Sequence, residues 1–563
     1  MKWISWMENE ENCVIQSVVS GTEQKIGPYY VDGYQEDTGH IYEFYGCWYH
    51  GCPTCMDPET VHPFRNLPMR DIYKETMDRE QYLRSLGHPV TTVWEHDFDA
   101  DLRIDSEMRK FINDIKITEP LNPRNAFYGG RTNAVRLLHT VAADEKIKYF
   151  DVNSEYPFVN KNRRYPLGHP IILTKSFQNV REYFGLVHCT VLPPGDLWLP
   201  ILPYRCNGKL TFPLCATCVK EQNSKKCDHT DSERELTGTW CTPEIHAAMD
   251  RGYTVTKMYE VWHYETFDDH LFKEYIDRFL KIKTEASGWP SDVTAENEKR
   301  KYIADFEERE GVKLDYDKVK ENPGLRALAK LCLNSFWGRL GMQDNKLNTM
   351  YIHDPKTFYE MLFSGKHHVH SWDLFDDNVV QITYTKEDGF IEQNPNTNVV
   401  LAAFTTCWAR LHLYQFMDMA QERLLYFDTD SIFFVSKPGW PDPPTGRFLG
   451  DLTDELKPGQ HITQFVSLGA KTYAYTTNDG HSVVKIKGFT INNRVKEKVN
   501  MESMMNILHK SGCIDVHYDD VIKRIKSQLI LCNSDVTKRL QVTYDKRRIT
   551  QDWNTVPYGY TVE

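Results

Sequence analysis

Two apolar runs, Leu424-Leu425 and Ile432-Phe433-Phe434-Val435, bracket the polar stretch Tyr426-Phe427-Asp428-Thr429-Asp430-Ser431. Runs of that length around a short acidic turn predict a β-hairpin. Far upstream, Lys148-Tyr149-Phe150-Asp151-Val152 predicts a strand ending in a carboxylate and turning into Asn153-Ser154-Glu155-Tyr156-Pro157. Residues 324–341, GLRALAKLCLNSFWGRLG, carry strong helix formers and closing glycines, so a helix is expected there. Residues 268–317 are charged and helix-rich. Residues 405–413 predict a helix whose Arg410 braces the hairpin. Near the start, 29–33 and 41–45 read as paired strands around Asp37-Thr38-Gly39, followed by a helix at 78–86 and a strand at 90–94.

Chemistry enters at the hairpin. Asp428 and Asp430 repel each other, and each resists ionising beside the other unless a cation compensates. Oxygen ligands suit Mg²⁺, so Asp151 and Asp430 are candidates to share two metals. A solvated acidic turn is the plain alternative. The Asn153-Ser154 turn offers N–H groups to a phosphate, and Tyr156, anchored by Pro157, is placed to pack under a sugar. Arg326, Lys330 and Asn334 recur every fourth residue and share one helical face, with Trp337 and Gly338 at its end. Two cations there suit a triphosphate; a solvated basic face is the alternative.

These segments resemble family B DNA polymerases of the organellar and viral, protein-primed type. Residues 151–157 look like motif A (D-x-x-S-x-Y-P). Residues 330–338 look like motif B, with Trp337 in place of the usual Tyr, and 426–431 look like motif C. Lys471-Thr472-Tyr473 looks like the K-x-Y motif, and Phe127-Tyr128-Gly129-Gly130 resembles the Y-x-G-G linker with Phe127 for its first Tyr. Wording and spacing look most like replicases of Polinton (Maverick) transposons. The resemblance implies catalytic Asp151, Asp428 and Asp430 with two Mg²⁺. It implies nucleotide contacts from Tyr156, Arg326, Lys330, Asn334 and Lys471, and DNA contacts from Tyr128, Gly129, Gly130 and Tyr473. Template, primer, dNTPs and a terminal-protein primer are the implied partners.

Composition bounds this picture. A chain of 563 residues allows three to four domains. Net charge is −12, against a DNA binder in bulk. Local clusters decide phosphate contacts, however: Lys225-Lys226, Lys299-Arg300-Lys301, the lysines of 485–498, and Lys546-Arg547-Arg548. No apolar run approaches the ~18 residues of a membrane span, and the acidic N-terminus lacks a signal-peptide pattern. A soluble intracellular protein without a membrane partner is expected, nuclear if the host is a eukaryote.

The 14 cysteines cluster as metal ligands do in intracellular chains. Cys215, Cys218, Cys227 and His229 give C-x2-C-x8-C-x-H, a tetrahedral zinc pattern, with Cys206 and Cys241 as alternative ligands. Residues 46–55, GCWYHGCPTC, with the later Val93-Trp94-Glu95-His96, resemble very-short-patch-repair endonucleases of the restriction-endonuclease-like fold. That resemblance implies a second structural zinc on Cys47, Cys52, Cys55 and His96, and a nuclease centre with Asp32 and His50. Tyr45 stands where those enzymes carry a histidine. The carboxylates of 97–101 are read as a solvated loop, and no D-x-E before the linker is convincing as an exonuclease motif.

The expected architecture is α+β and multidomain: polymerase palm, fingers and short thumb behind a restriction-endonuclease-like α/β module. The nuclease-like module takes 1–122, with a linker at 119–124. The first part of the palm takes 123–200, a zinc insert 201–267, fingers 268–345, palm 346–490 and thumb 491–563. The expected function is a DNA-directed DNA polymerase of a transposon or virus-like element. Two alternatives stand beside it: a truncated or decayed replicase, part of a longer chain, that binds DNA without polymerising, and an endonuclease acting through the first module.

Overall fold

The computed structural model describes residues 1–17, 23–115, 120–376, 378–392, 394–525 and 530–562. The chain is mixed α+β and divides into two units, Met1–Pro120 with Asn345–Glu392, and Leu121–Asp344 with Gln393–Glu563. Among the described residues no helix is long and apolar enough to cross a membrane. Residue 119, at the start of the expected linker, lies outside the described residues.

In the first unit, His40–Tyr45 runs parallel to Val90–Trp94, and the helix Met69–Ser85 lies on the connection between them. A parallel pair needs such a crossover. Ile41 and Tyr42 point to opposite faces: Ile41 packs with Leu83 and Val90, Tyr42 with Trp3, Ile4 and Phe98. Both faces of the sheet are therefore covered. Two details differ. Gly33–Gln35 pairs with His40–Tyr45 as expected, but Tyr29–Val31 pairs backwards with Gln24–Ile26, around a turn where Gly27 takes φ 58°. The expected loop at 97–101 is part of a helix, Glu95–Ile104, with Glu95 and Asp97 in its first turn, where the dipole favours carboxylates, and Phe98 buried.

Residues 345–392, expected within the palm, group instead with the first unit. They form a three-stranded sheet of Asn348–Ile352, Val379–Lys386 and His367–Asp376, covered by the helix Pro355–Phe363. The Trp48 ring packs 4.3 Å from Phe390, and Gly389 leaves room for it.

The second unit is built on a nine-stranded antiparallel sheet. Seven of its strands run in the order Ser482–Ile486, Thr472–Thr477, Ile462–Gly469, Lys146–Val152, Ser431–Ser436, Leu424–Asp428, Thr132–Ala134, while Leu452–Asp454 pairs with Lys146–Val152 and Leu138–Thr140 with Ile462–Gly469. The motif A strand and the acidic hairpin are thus neighbours at its centre. The helix Val399–Ala420 buries Leu413, Phe416 and Met417 against one face with Phe427, Ile432 and Phe434. Helices Lys273–Glu285 and Pro323–Leu340, within the segment expected to be the fingers, pack on each other. The expected thumb divides. Met501–Lys510 packs on the sheet and a hairpin, Cys513–Ile525 with Ile530–Gln541, extends from it. The last residues turn back, and Thr555 donates its N–H to Val135 beside the sheet's edge strand.

Candidate active site

The acidic hairpin turns through Thr429, at φ 62°, whose N–H donates to the Arg131 carbonyl at 2.6 Å. Ser431 stands opposite Asp151 in the ladder, and Val152 N–H donates to the Asp430 carbonyl at 2.7 Å. Sheet register therefore delivers Asp151 and Asp430, 279 positions apart in sequence (430 − 151), to one place. They line a cleft of about 400 Å³ with Asp428, Lys471, Tyr473 and Lys485.

Electrostatics separates the three carboxylates. Burial, then Asp430 and Glu455, push Asp151 up to about 7, against Lys485 and Lys330. Burial, then Glu155 and Asp428, push Asp430 up to about 6. Both resist ionising with the protein's own charges alone, and both offer hard oxygen donors, so the pair fits a divalent ion such as Mg²⁺. Asp428 is already engaged, its Oδ1 accepting from Lys471 Nζ at 2.7 Å and Thr132 Oγ1 at 2.8 Å. The expected nucleotide-contacting Lys471 is therefore bound to Asp428 here, and its backbone N–H donates to Tyr426 Oη at 2.8 Å.

After Asp151 the chain turns through Ser154, at φ 56°, into the helix Glu155–Asn162. Tyr156 stacks on Trp337 of the fingers helix, centroids 4.3 Å apart. Arg326, Lys330 and Asn334 share an exposed face, as their spacing predicted. The expected phosphate turn is corrected: Asn153 N–H is taken by the Asp451 carbonyl at 2.8 Å. Lys283, which no motif marks, stands beside this turn. Lys283 Nζ donates to Ser154 Oγ at 2.9 Å, and burial, with Lys330 and Arg326 nearby, lowers it to about 8. Glu155 is missed too: fully buried, it pairs with His412 Nδ1 at 2.8 Å, from 257 residues away.

The linker residues serve differently from expectation. Tyr128 is buried at 4% exposure, which keeps its ring from DNA. Arg410 donates to the Tyr128 and Gly129 carbonyls (2.9 and 3.0 Å) and forks onto Glu244 at 2.8 Å twice. Arg410 thus braces the linker, not the hairpin. Gly129 is open, whereas a Cβ on Gly130 would meet the Thr429 side chain at 2.9 Å. Tyr473, also buried, packs on Tyr426 while lining the cleft.

Both cysteine clusters assemble. Cys47, Cys52, Cys55 and His96 converge, with His96 Nδ1 3.3 Å from Cys47 Sγ and 3.5 Å from Cys52 Sγ. Cys215, Cys218 and Cys227 place their sulfurs 3.6, 3.3 and 3.6 Å from His229 Nδ1. Neither Cys206 nor Cys241 joins them. Ligand atoms this close, three thiols and an imidazole, are the donor set and spacing of a closed tetrahedral site.

Parts of this chain are similar to known proteins. Residues 105–304 match the family DNA polymerase type B, organellar and viral. Two curated relatives named "Probable DNA polymerase" are similar at 23% identity. The one from Neurospora intermedia aligns over 65% of this chain and 33% of its own length. The one from Podospora anserina aligns over 82% of this chain and 36% of its own. The chain thus spans about a third of the length of these relatives. Solved structures of Phi29 DNA polymerase with primer-template DNA, and with incoming nucleotide as well, align at 17% and 16% identity with TM-scores of 0.47 and 0.46. They cover 74% and 75% of this chain and 62% of theirs in each case.

Away from the polymerase-like segments, the first unit holds the other predicted site. Asp32 Oδ2 accepts from Phe44 N–H at 2.8 Å. Buried Glu43, absent from the sequence reading, is pushed up to about 7 by burial and Asp32 against the Arg79 guanidinium, 2.8 Å away. Burial, then Arg79, lowers His50, whose Nδ1 lies 3.3 Å from Thr76 Oγ1. The Tyr45 ring packs 4.9 Å from His50.

Proposed function

We propose that this chain is a DNA-directed DNA polymerase that extends a primer 3′-hydroxyl, or a protein-primer hydroxyl, with deoxynucleotides. The observation that carries the reading is the meeting of Asp151 and Asp430 in one cleft, both resisting ionisation, with Lys330 of the helix Pro323–Leu340 within electrostatic reach of Asp151. Asp151 and Asp430 would hold Mg²⁺, which supplies acidity at the attacking hydroxyl and countercharge for the leaving pyrophosphate. The primer oxygen bonds to the α-phosphorus, the bond from that phosphorus to pyrophosphate breaks, and the hydroxyl proton passes to solvent.

The chain's own residues do the positioning. Lys330, Arg326 and Lys283 would receive the triphosphate, and Tyr156, backed by Trp337, would lie beneath the sugar. Lys471 and Thr132 hold Asp428 as a fixed flank. Zinc would fill both Cys₃His clusters as structural metal. Replication of a transposon or virus-like element, with a terminal protein as partner and the nucleus as compartment in a eukaryotic host, belongs to the same proposal. Magnesium-dependent primer extension by the purified chain, lost in Asp430→Asn, tests it; retention of DNA binding without extension would favour the replicase-fragment reading.

A second reading concerns the first unit. The gathering of Asp32 and Glu43 beside Arg79 favours a nuclease centre there. Divalent-dependent nicking of plasmid DNA that vanishes in Asp32→Ala but persists in Asp430→Asn would support it.

A further inference from the structure

Residues 543–562, marked in the sequence only by the basic Lys546-Arg547-Arg548, touch both the second cysteine cluster and the strand that pairs with Asp428. At one end Tyr558 is buried with Cys215, Cys218 and Cys227. Its carbonyl accepts the Leu214 N–H at 2.7 Å. Gly559 takes φ 93°, and a Cβ there would stand 2.5 Å from both Cβ and N of Cys215. Tail and cluster therefore meet with no side chain between them, and only glycine allows it.

The other end reaches the catalytic strands. Lys546 Nζ donates to the Thr132 carbonyl at 3.1 Å. Thr132 lies opposite Asp428 in the ladder and donates its hydroxyl to Asp428 Oδ1. Hydrogen bonds join the two ends. Tyr558 Oη donates to the Asp545 carbonyl at 3.2 Å. Buried Arg547 donates to Thr555 Oγ1 at 3.0 Å and to its carbonyl at 3.1 Å. Thr555 Oγ1 in turn donates to the Val135 carbonyl at 2.8 Å, and Tyr544 Oη to that of Ala134 at 2.6 Å.

We propose that residues 543–562 form a strap that couples the Cys215–Cys218–Cys227–His229 cluster to Asp428, with Lys546 as the positioning residue at its working end. Loss of metal from a cluster outside the carboxylate cleft would then loosen the strand that carries Thr132. Burial lowers Lys546 to about 8 against the pull of Asp428, so the buried ammonium relies on Asp428 and on the Thr132 carbonyl for compensation.

The test uses the full chain and three variants. Gly559→Val pries the strap from Cys215 while sparing every metal ligand. Lys546→Met removes the working end, and Lys546→Arg is its conservative partner. Gly559→Val should keep the parent's zinc content while amide exchange rises about ten-fold both in 543–562 and in 132–135. Lys546→Met should leave exchange near Tyr558 unchanged, raise it in 132–135, and raise the Mg²⁺ concentration for half-maximal primer extension several-fold, with Lys546→Arg restoring both. If Gly559→Val does not fold, Tyr558→Phe, which deletes only the hydrogen bond to Asp545, should move the same amides less. Exchange that rises in 543–562 while 132–135 matches the parent would overturn the coupling, as would Lys546→Met behaving like the parent. The Mg²⁺ readout rests on the polymerase reading; the exchange readout does not, so the two can fail separately.

Discussion

Tyr156 and Trp337 stack with their ring planes inclined at 27°, joining the turn after Asp151 to the end of the fingers helix. Trp337 occupies the position where motif B usually carries Tyr, so the larger indole backs the ring that would face the sugar. On the proposed reading, discrimination against ribonucleotides would be steric, a clash with the 2′-hydroxyl. Tyr156→Ala should raise ribonucleotide incorporation at least about ten-fold relative to dNTPs, a loss of about 1.4 kcal/mol of discrimination. Trp337→Ala should move the ratio the same way by less. Competition between labelled dNTP and rNTP reads it, and an unchanged ratio in Tyr156→Ala would remove the tyrosine as gate.

The carboxylate pair makes a prediction about pH. Asp151 and Asp430 ionise near 7 and 6, above the ordinary aspartate value. A folded-state pKa raised this way means the native chain binds protons more tightly than the unfolded one. The metal-free protein should therefore lose stability as pH rises from about 4 to about 7. Mg²⁺ should offset that loss at neutral pH, and extension should accelerate between pH 6 and 8 as Asp151 ionises. Thermal unfolding with and without Mg²⁺ checks this: Asp151→Asn should flatten the metal-free pH dependence and abolish most of the Mg²⁺ shift.

Two zinc ions per chain are expected from the two Cys₃His sets. Cys52→Ser should leave one zinc, and Cys218→Ser should leave the other, each destabilising its own unit. Zinc release titrated with a chromogenic chelator measures this. A parent chain with less than one zinc would contradict both assignments.

The Arg410–Glu244 fork is 2% and 1% exposed and holds the Tyr128 and Gly129 carbonyls. Glu244→Ala leaves a buried guanidinium unpaired, at a cost of about 3–5 kcal/mol. Denaturant unfolding followed by tryptophan fluorescence should show a lower midpoint for the second unit. A midpoint within error of the parent would mean water or another group replaces the carboxylate.

Much of the centre was legible because its signals are local. A carboxylate turn between apolar runs marks a hairpin tip, with the motifs around it favouring compensating charge over a solvated turn, and both cysteine sets carry ligand spacing in the chain itself. What escaped depends on distant partners. Lys283 sits in an ordinary amphipathic helix, and only packing brings it to Ser154. Glu155 looks like a solvated helix residue until His412 meets it. The 97–101 segment reads as a loop by charge, although acidic residues favour a helix's first turn and Phe98 anchors it. Residues 345–392 lie between palm segments in sequence, and their association through Phe390 and Trp48 has no local signature.

Template-directed nucleotide addition at Asp151 and Asp430 is decided by a single-nucleotide addition experiment. The purified chain is mixed with a labelled primer annealed to four templates that differ only in the next base, one dNTP at a time, with Mg²⁺. The account predicts that each template receives only its complementary nucleotide, and that Asp151→Asn and Asp430→Asn each lower the rate at least about 10³-fold while still binding the duplex. Extension by the parent that persists in both variants, or no extension on any template by a chain that is folded and zinc-loaded, would contradict it.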